Sequence, residues 1–425
     1  MSSEERKVFK NGLVAIAEPM EHKKKAVFYV GIDVGSKNES KEKKGGAHLL
    51  EHMMFFSNNY KTSDEIAEIL EFNGMSANAH TSHTTTTIEV SLPPDKLSTA
   101  VSTAYQAVIN TAYDKTEFEI EKNGPVAREL INAEHNPLQR FVMRYAFPRI
   151  FEGTPLADSV IGTFESVTNL QIPDLMSLKN KFYIPNNMVL VATGAVDKSQ
   201  FFDSVENTFA KMEQKPVAQP EISWAFRPGI SYVEFDDFKS KQPEQDQAYA
   251  FLVYKVKPNQ HKDTLGLALL QTMIGGGLTS RLFKQLRKER GIGYTPAASY
   301  DALRDNAVFY MGVPGLHPNQ IEQTFEVMQG ITGRLRKELV DEKFFVGKKT
   351  QLESDYLSIM ESSKMHAAAW ITKEFDKPFY DFRTVLDELK RVTRENLREI
   401  ANENFSGEPL ILIASAPGYK TIFNK

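Results

Sequence analysis

Apolar and polar positions alternate along the first part of the chain as they do in strands. Leu13, Ala15 and Ala17 fall on one side, and Val14, Ile16 and Glu18 on the other, the period of two expected of a half-buried strand. The stretch from Ala26 to Asp33 is rich in aromatic and β-branched residues and reads as a second strand. A polar loop, Gly35 to Lys44, leads through Gly45-Gly46 into an apolar run from Ala47 to Phe56. Thr62 and Glu65 stand at capping-box spacing. Ile66, Ile69 and Leu70 then recur at helical intervals until Asn73-Gly74 ends the element. Thr84 to Leu92 alternates again and stops at Pro93-Pro94. Helical patterning dominates from Leu97 to Leu130, and Asn186-Asn187 later introduces a strand over Met188 to Thr193.

From Glu213 to Glu221, Lys, Gln, Pro and Ala replace the periodic apolar residues, and beyond that break the order of elements recurs. Strands are expected at Ile230 to Phe235 and Tyr249 to Val256, and a helix from Thr264 to Ile274. After the turn Gly275-Gly276-Gly277 come a helix from Thr279 to Glu289, strands within Ala297 to Val313, long helices, and a last strand from Leu410 to Ala414. A chain of 425 residues exceeds what one hydrophobic core usually serves. The expectation is therefore an α+β protein of two related domains, each a mostly antiparallel sheet packed with helices. Their bounds are 1–212 and 226–425, joined by a linker at 213–225.

Composition narrows the function classes. Apolar residues make up 41% and charged residues 25%, with a formal net charge of -4, an ordinary globular balance that gives no sign of a nucleic-acid partner. The cluster Lys23, Lys24, Lys25 is short and fits a solvated turn. The chain has no cysteine, so disulfides and thiolate ligands are excluded. No apolar run is long enough to span a bilayer. The opening Met-Ser-Ser-Glu-Glu-Arg-Lys has neither the apolar core of a secretory signal nor the acid-poor character of a transit peptide, which makes a cytoplasmic location the expectation.

His48, Glu51 and His52 form H-L-L-E-H. Positions i, i+3 and i+4 of a helix share a face, so both imidazoles and the carboxylate can address one point. Imidazole nitrogens suit zinc, and a carboxylate beside them can take a proton from an activated water. The bland alternative is a half-buried helix with two unrelated histidines. A catalytic zinc needs a third protein ligand, and spacing alone leaves every Asp, Glu and His open. Gly275 to Gly277 is no phosphate loop, because no Lys-Ser/Thr follows in Walker spacing. His80 and His83 sit at strand spacing that does not bring both to one metal.

The string G-G-A-H-L-L-E-H-M-M-F resembles the active-site helix of the pitrilysin and insulin-degrading-enzyme family of inverted zinc peptidases, to which the mitochondrial processing peptidases are also related. N-G-M-S-A-N-A-H-T-S, P-L-A-D-S-V-I-G-T-F-E-S-V, Y-I-P-N-N-M-V-L-V and G-G-G-L-T-S-R-L-F-K-Q-L-R-K-E-R-G-I-G-Y are similar to later segments of that family, in the same order. The resemblance implies one Zn2+ per active subunit, held by His48, His52 and Glu129 of V-A-R-E-L, with Glu51 as general base. It implies that Asn78 and Ala79 lie on a strand edge offered to peptide, and that Arg287 and Tyr294 contact substrate or the developing oxyanion. The implied activity is endoproteolysis of unfolded oligopeptides or presequence-like peptides. The implied architecture is half of a clamshell chamber, completed by a second copy or by a related subunit.

Three departures bear on activity. The family's further acidic residue, seven positions before the ligand Glu, is Lys122 here, with Glu121 and Glu119 as substitutes. Gly124-Pro125 interrupts a stretch that is smoothly helical in the family, and proline there is expected to kink or restart the helix. Thr84 stands where the family has an acid. A weakly active or inactive scaffold subunit of the same fold, and a peptide-binding module without catalysis, are the competing readings.

Overall fold

The computed structural model describes residues 4–419; residues 1–3 and 420–425, the outer ends of the two expected domains and the first residues of the opening segment, lie outside the described residues. Contacts divide the chain into two units, Met1–Ser223 with Ile359–Phe375, and Trp224–Ser358 with Asp376–Lys425.

The first unit holds a six-stranded sheet in the order β1-β2-β6-β3-β5-β4. Its strands are β1 (Glu5–Val8), β2 (Val14–Pro19), β3 (Ala26–Ile32), β4 (Ser76–Thr81), β5 (Thr86–Leu92) and β6 (Met188–Gly194). Every neighbour is antiparallel except β2 and β6. Burial follows position in the sheet. Central β3 and β6 are buried along their whole length, while β5 buries Thr86, Ile88, Val90 and Leu92 and half-exposes the residues between them. That is the alternation its sequence announces. β4 forms one edge and carries Asn78.

The second unit repeats the plan with five strands in the order β7-β11-β8-β10-β9: β7 (Gly229–Glu234), β8 (Ala248–Lys255), β9 (Ala297–Leu303), β10 (Asn306–Leu316) and β11 (Leu410–Ser415). Its single parallel pair, β7 with β11, stands where β2 with β6 stands in the first sheet. Replacing β2, β6, β3, β5 and β4 by β7, β11, β8, β10 and β9 converts one order into the other. The two related domains expected from the recurring pattern are thus visible as topology.

Helices cover the first sheet and fix the future site. α1 (Gly46–His52) begins at Gly45, whose φ of 86° is left-handed. A Cβ there would lie 2.9 Å from the Ile161 carbonyl oxygen and from Val167 Cγ2, so glycine is required on conformational and steric grounds. The Glu39 carboxylate accepts from Gly45 N (3.0 Å) and Ala47 N (2.6 Å), filling the unpaired first turn of this helix. Leu49, Leu50, Met53 and Met54 are buried in the first core. α2 (Ser63–Phe72) carries the expected capping box: Thr62 Oγ1 accepts from Glu65 N, and Glu65 Oε2 accepts from Thr62 N at 2.8 Å.

The helical stretch expected from Leu97 to Leu130 breaks into Leu97–Ile109 and a rod over 115–135. That rod is continuous. Lys115–Glu121 and Ala127–His135 are α-helical, and Lys122–Val126 between them is a π turn. The restart expected at Gly124-Pro125 as one alternative is corrected accordingly: the helix runs on through a π turn. The i→i+5 pattern of a π turn takes in one residue more than an α turn, and in this way the rod passes the proline, which has no N–H to give.

A later segment returns to the first unit. Helix Ser363–Asp376 places Ile371 against Gly31 of β3, where a Cβ would come within 2.8 Å of it. Glu18 Oε2 accepts from Trp370 Nε1 (2.6 Å) and bonds His366 Nδ1 (2.9 Å), all three residues being buried. Arg6 makes a forked pair with Glu374 at 2.7 and 2.8 Å.

Gly45→Ala is expected to cost about 2 kcal/mol or more in chemical denaturation, from the left-handed φ and the two contacts together. Gly46→Ala, whose Cβ would meet nothing closer than 3.7 Å, is expected to change stability by less than about 1 kcal/mol. Equal losses in the two variants would refute this account of the helix start.

Candidate metal centre

His48, Glu51 and His52 lie on α1, and Glu129 lies on the 115–135 rod. Their meeting depends on how the rod is held. Glu117, near its start, accepts from Ser57 N (2.9 Å), Ser57 Oγ (2.8 Å) and Ser63 Oγ (2.6 Å), pinning it to the loop that follows α1. One π turn further on, the Glu129 carboxylate faces both imidazoles.

The three inward atoms form a triangle. His48 Nε2 and His52 Nε2 are 3.3 Å apart, and Glu129 Oε2 is 3.2 Å from the first and 3.5 Å from the second. For zinc bonds of about 2.0–2.1 Å, the edge of a ligand tetrahedron is about 3.3–3.4 Å. Both the donor set and the spacing fit zinc. Among the described residues this is the cluster of three that could hold an ion. His48 is buried, whereas the Glu129 side chain is 47% exposed, so the triangle is closed on the helix side and open toward solvent.

The supporting shell departs from the simplest reading of the sequence. Glu121, not Lys122, reaches His52, with its Oε1 2.7 Å from Nδ1. Eight residues separate Glu121 from Glu129, one more than in the family pattern, and the π turn takes up the extra residue. Lys122 is buried and faces away, its Nζ bonded to Glu119 and to the Leu170 carbonyl (3.2 Å each) and lying over the Phe118 ring. The slot read as Lys122 is therefore corrected to Glu121, the neighbour named as a substitute, while Glu119 serves Lys122. His48 Nδ1 is buried and makes no hydrogen bond among the described residues.

Charge in this cluster is one-sided. Burial pulls the His52 imidazolium down, but the Glu129 and Glu121 carboxylates bonded to it, with Glu51 nearby, outweigh that effect and raise its pKa to about 9. Hydrogen bonds from His48 and His52 hold Glu129 far below the usual carboxylate range. Glu51 is half-buried on the same helix face.

The remaining expected residues lie elsewhere. Asn78 is exposed and Ala79 half-exposed on edge strand β4, against which α1 packs. His80 is exposed on the same strand. His83 stacks on Phe147 with centroids 5.1 Å apart and bonds the Asp158 carbonyl at 3.1 Å, a packing role. Thr84 sits in the turn between β4 and β5. In the second unit Arg287 and Tyr294 are together: the guanidinium lies 4.4 Å from the ring centroid, and Nη1 donates to the Gly293 carbonyl at 3.1 Å. Tyr294 is 72% exposed in the loop before β9 rather than packed in a strand. Sequence reading missed Glu39 and Glu117, which act through loop contacts that no short spacing displays.

Residues 14–164 match the family described as Insulinase (Peptidase family M16), and residues 169–352 match the Peptidase M16 inactive domain. The chain belongs to peptidase family M16. An uncharacterised zinc protease of Bacillus subtilis is 24% identical over 411 residues, covering 96% of this chain and 97% of its own. Another from Mycobacterium leprae is 26% identical over 333 residues, covering 77% and 73%. In fold the chain is similar to a protease from Helicobacter pylori, at TM-score 0.88 and 21% identity over 98% of this chain and 100% of that one. A chain of complex III2 from Candida albicans shares the fold at TM-score 0.80 and 16% identity, over 96% and 95%. No helix among the described residues is long and apolar enough to cross a membrane.

A metal needs neutral imidazole nitrogen, so a divalent ion entering this site displaces the His52 proton. Uptake at pH 7 should release about one proton, and apparent affinity should rise with pH until about 9 and then level off. In the metal-free protein, NMR titration should place His52 near 9, and Glu121→Gln should move it down, with Glu129 still holding part of the rise. An unchanged midpoint in that variant would contradict the electrostatic account.

Proposed function

We propose that this M16 member is a zinc-dependent endopeptidase acting on unfolded oligopeptides or presequence-like peptides. The observation that carries the reading is the His48–His52–Glu129 triangle, whose edges of 3.3, 3.2 and 3.5 Å fit one zinc ion per subunit. When bound there, zinc would supply the Lewis acidity that polarises the scissile carbonyl and acidifies the attacking water. Glu51 accepts the water's proton as the new C–O bond forms, and delivers it to the departing amine nitrogen as the C–N bond breaks. Glu121 fixes the His52 ring and keeps a proton on Nδ1, so that Nε2 presents its lone pair inward.

Edge strand β4 has the form of a docking edge, because an extended peptide can add to an unpaired strand through main-chain hydrogen bonds. We assign Asn78 and Ala79 to that contact. Arg287 and Tyr294 are assigned to substrate in the second unit; the stacked guanidinium holds the exposed phenol ready to donate a hydrogen bond. We further propose that the working assembly is a homodimer, or a heterodimer with a related subunit. The short chain carries both the metal triangle and the Arg/Tyr pair, so two copies would be self-sufficient.

Glu51→Gln should retain stoichiometric zinc and lose about 10²–10⁴-fold in peptide cleavage, whereas His52→Ala should lose the metal by elemental analysis. Undiminished cleavage by Glu51→Gln would sink the mechanism. A zinc-loaded wild type that cleaves no unstructured peptide, alone or with a related subunit, would instead favour a scaffold. Glu121→Gln should weaken zinc binding about 10–100-fold, and Glu119→Gln should leave it within about threefold. A zinc affinity insensitive to Glu121 would remove that residue from the site's support.

A further inference from the structure

The loop that leads into the metal-bearing helix touches three parts of the first unit, and one of them is the stretch that leaves it. Residues 33–39 hold a single 3-10 turn, Ser36–Asn38, so bonds from outside must set the path of the rest. At one end the Glu39 carboxylate accepts from Gly45 N and Ala47 N at the start of α1 (3.0 and 2.6 Å). In the middle, Ser36 N and Lys37 N donate to the Ser82 and His83 carbonyls (3.2 and 3.0 Å), in the turn that directly follows β4. The approach there is close: a Cβ at Gly35 would come within 2.3 Å of the Ser82 carbonyl oxygen. One loop therefore bears on both the metal helix and the edge strand.

The third contact is Gln219. Residues 213–228 form neither helix nor strand, yet Gln219 among them is half-buried. Its Nε2 donates to the Asp33 carbonyl (2.6 Å) and to Asn187 Oδ1 (3.1 Å), and its Oε1 accepts from Asn38 Nδ2 (3.0 Å). Asn38 Oδ1 in turn accepts from Gly35 N at 3.0 Å. Asn187 is buried, and its Nδ2 donates to the Asp33 and Phe182 carbonyls (3.1 and 2.9 Å), which gives Gln219 a fixed base. A single amide thus joins Asp33 and Asn38, near the two ends of the loop. A separate tie holds the same stretch at Lys215, whose carbonyl accepts from Asn186 Nδ2 (2.9 Å) and whose N donates to Asn186 Oδ1 (3.3 Å). That tie does not touch the loop.

We infer that Gln219 is a positioning residue for the metal centre and the peptide edge, acting through Asn38 and the 33–39 loop. Removing its amide takes the partner from Asn38 Nδ2 and lets the loop ends move apart. Glu39 then holds α1 less firmly, and the Ser82–His83 turn loosens at the end of β4. The two effects come together because the same loop carries both. Gln219 reaches the ion through more intervening bonds than Glu121 does, so its effect on metal affinity is the smaller. The consequence for zinc and peptide rests on the peptidase reading, whereas the hold on the loop does not.

Amide hydrogen exchange in the metal-free full chain tests that hold. Gln219→Met keeps an unbranched side chain of similar length and removes its hydrogen bonds. The amides of Ser36, Lys37, Gly45 and Ala47 are expected to exchange at least about tenfold faster, and zinc affinity to fall about three- to tenfold. Asn38→Ala should reproduce both effects, and the double variant should be no worse than the worse single one. Asn186→Ala, which cuts the Lys215 tie alone, should stay within about twofold of wild type on both measures. A Gln219 that serves general stability only would lower the unfolding midpoint and leave these amides at wild-type rates. That result, additive losses in the double variant, or equal acceleration in Asn186→Ala would each overturn the inference. Should Gln219→Met not fold, Asn38→Ala compared with Asn186→Ala decides it. A wild type that takes up no zinc would count against the peptidase reading alone, with the exchange rates still deciding this one.

Discussion

The metal triangle depends on one registration, that of the 115–135 rod against α1. Two carboxylates eight residues apart must reach the same histidine from opposite sides, Glu121 at Nδ1 and Glu129 at Nε2. A regular α-helix would turn a residue eight positions away off the shared face and bring Lys122 there instead. The π turn at Lys122–Val126 prevents that. It carries Glu121 inward, sends Lys122 to Glu119 and Leu170, and leaves Glu129 in place. The proline that threatens the rod in one dimension thus sits in the element that sets its register.

Electrostatics make the same choice of residue important. Glu51, Glu121 and Glu129 surround two imidazoles, and the Glu129 and Glu121 carboxylates bonded to His52, with Glu51 nearby, outweigh burial and hold its proton to about 9. With Lys122 pointing inward, its ammonium would compete with a divalent ion for the same carboxylates. Facing outward, it leaves a concentration of negative charge that favours a dication, and His52 gives up its proton when one binds. The support extends outward in layers: Glu117 clasps Ser57 and Ser63, and Glu39 fills the first turn of α1. Each acts on the geometry without touching the triangle.

The legible parts of this molecule are those written in short-range pattern. The alternation of β5, the Thr62–Glu65 box and the helical spacing of His48, Glu51 and His52 all follow from neighbours within a few residues. Glu129 did not follow from spacing; it required resemblance to a family, because its partner histidines are some eighty positions away. Glu121 was indistinguishable from Glu119 for a different reason. Helical period assigns faces only while the helix is regular, and nothing in Lys-Asn-Gly-Pro-Val announces a π turn rather than a break. The return of helix Ser363–Asp376 to the first sheet was likewise hidden, since Glu18, His366 and Trp370 meet only in three dimensions.

The topology is repeated, yet among the described residues the candidate metal cluster lies in the first unit alone. In the first sheet the connection from β3 to its neighbours opens with α1, a seven-residue helix that begins at a left-handed glycine and presents His48 and His52. The corresponding connection after β8 opens with Thr264–Gly275, in which Leu265, Leu267, Leu269, Leu270, Met273 and Ile274 are all buried. A helix apolar on nearly every side can only fill a core. That copy has the scaffold without the polar face, and the stacked Arg287–Tyr294 pair lies on the next helix and the loop beyond it. Division of labour between two versions of one fold therefore comes down to which single helix keeps a wet side.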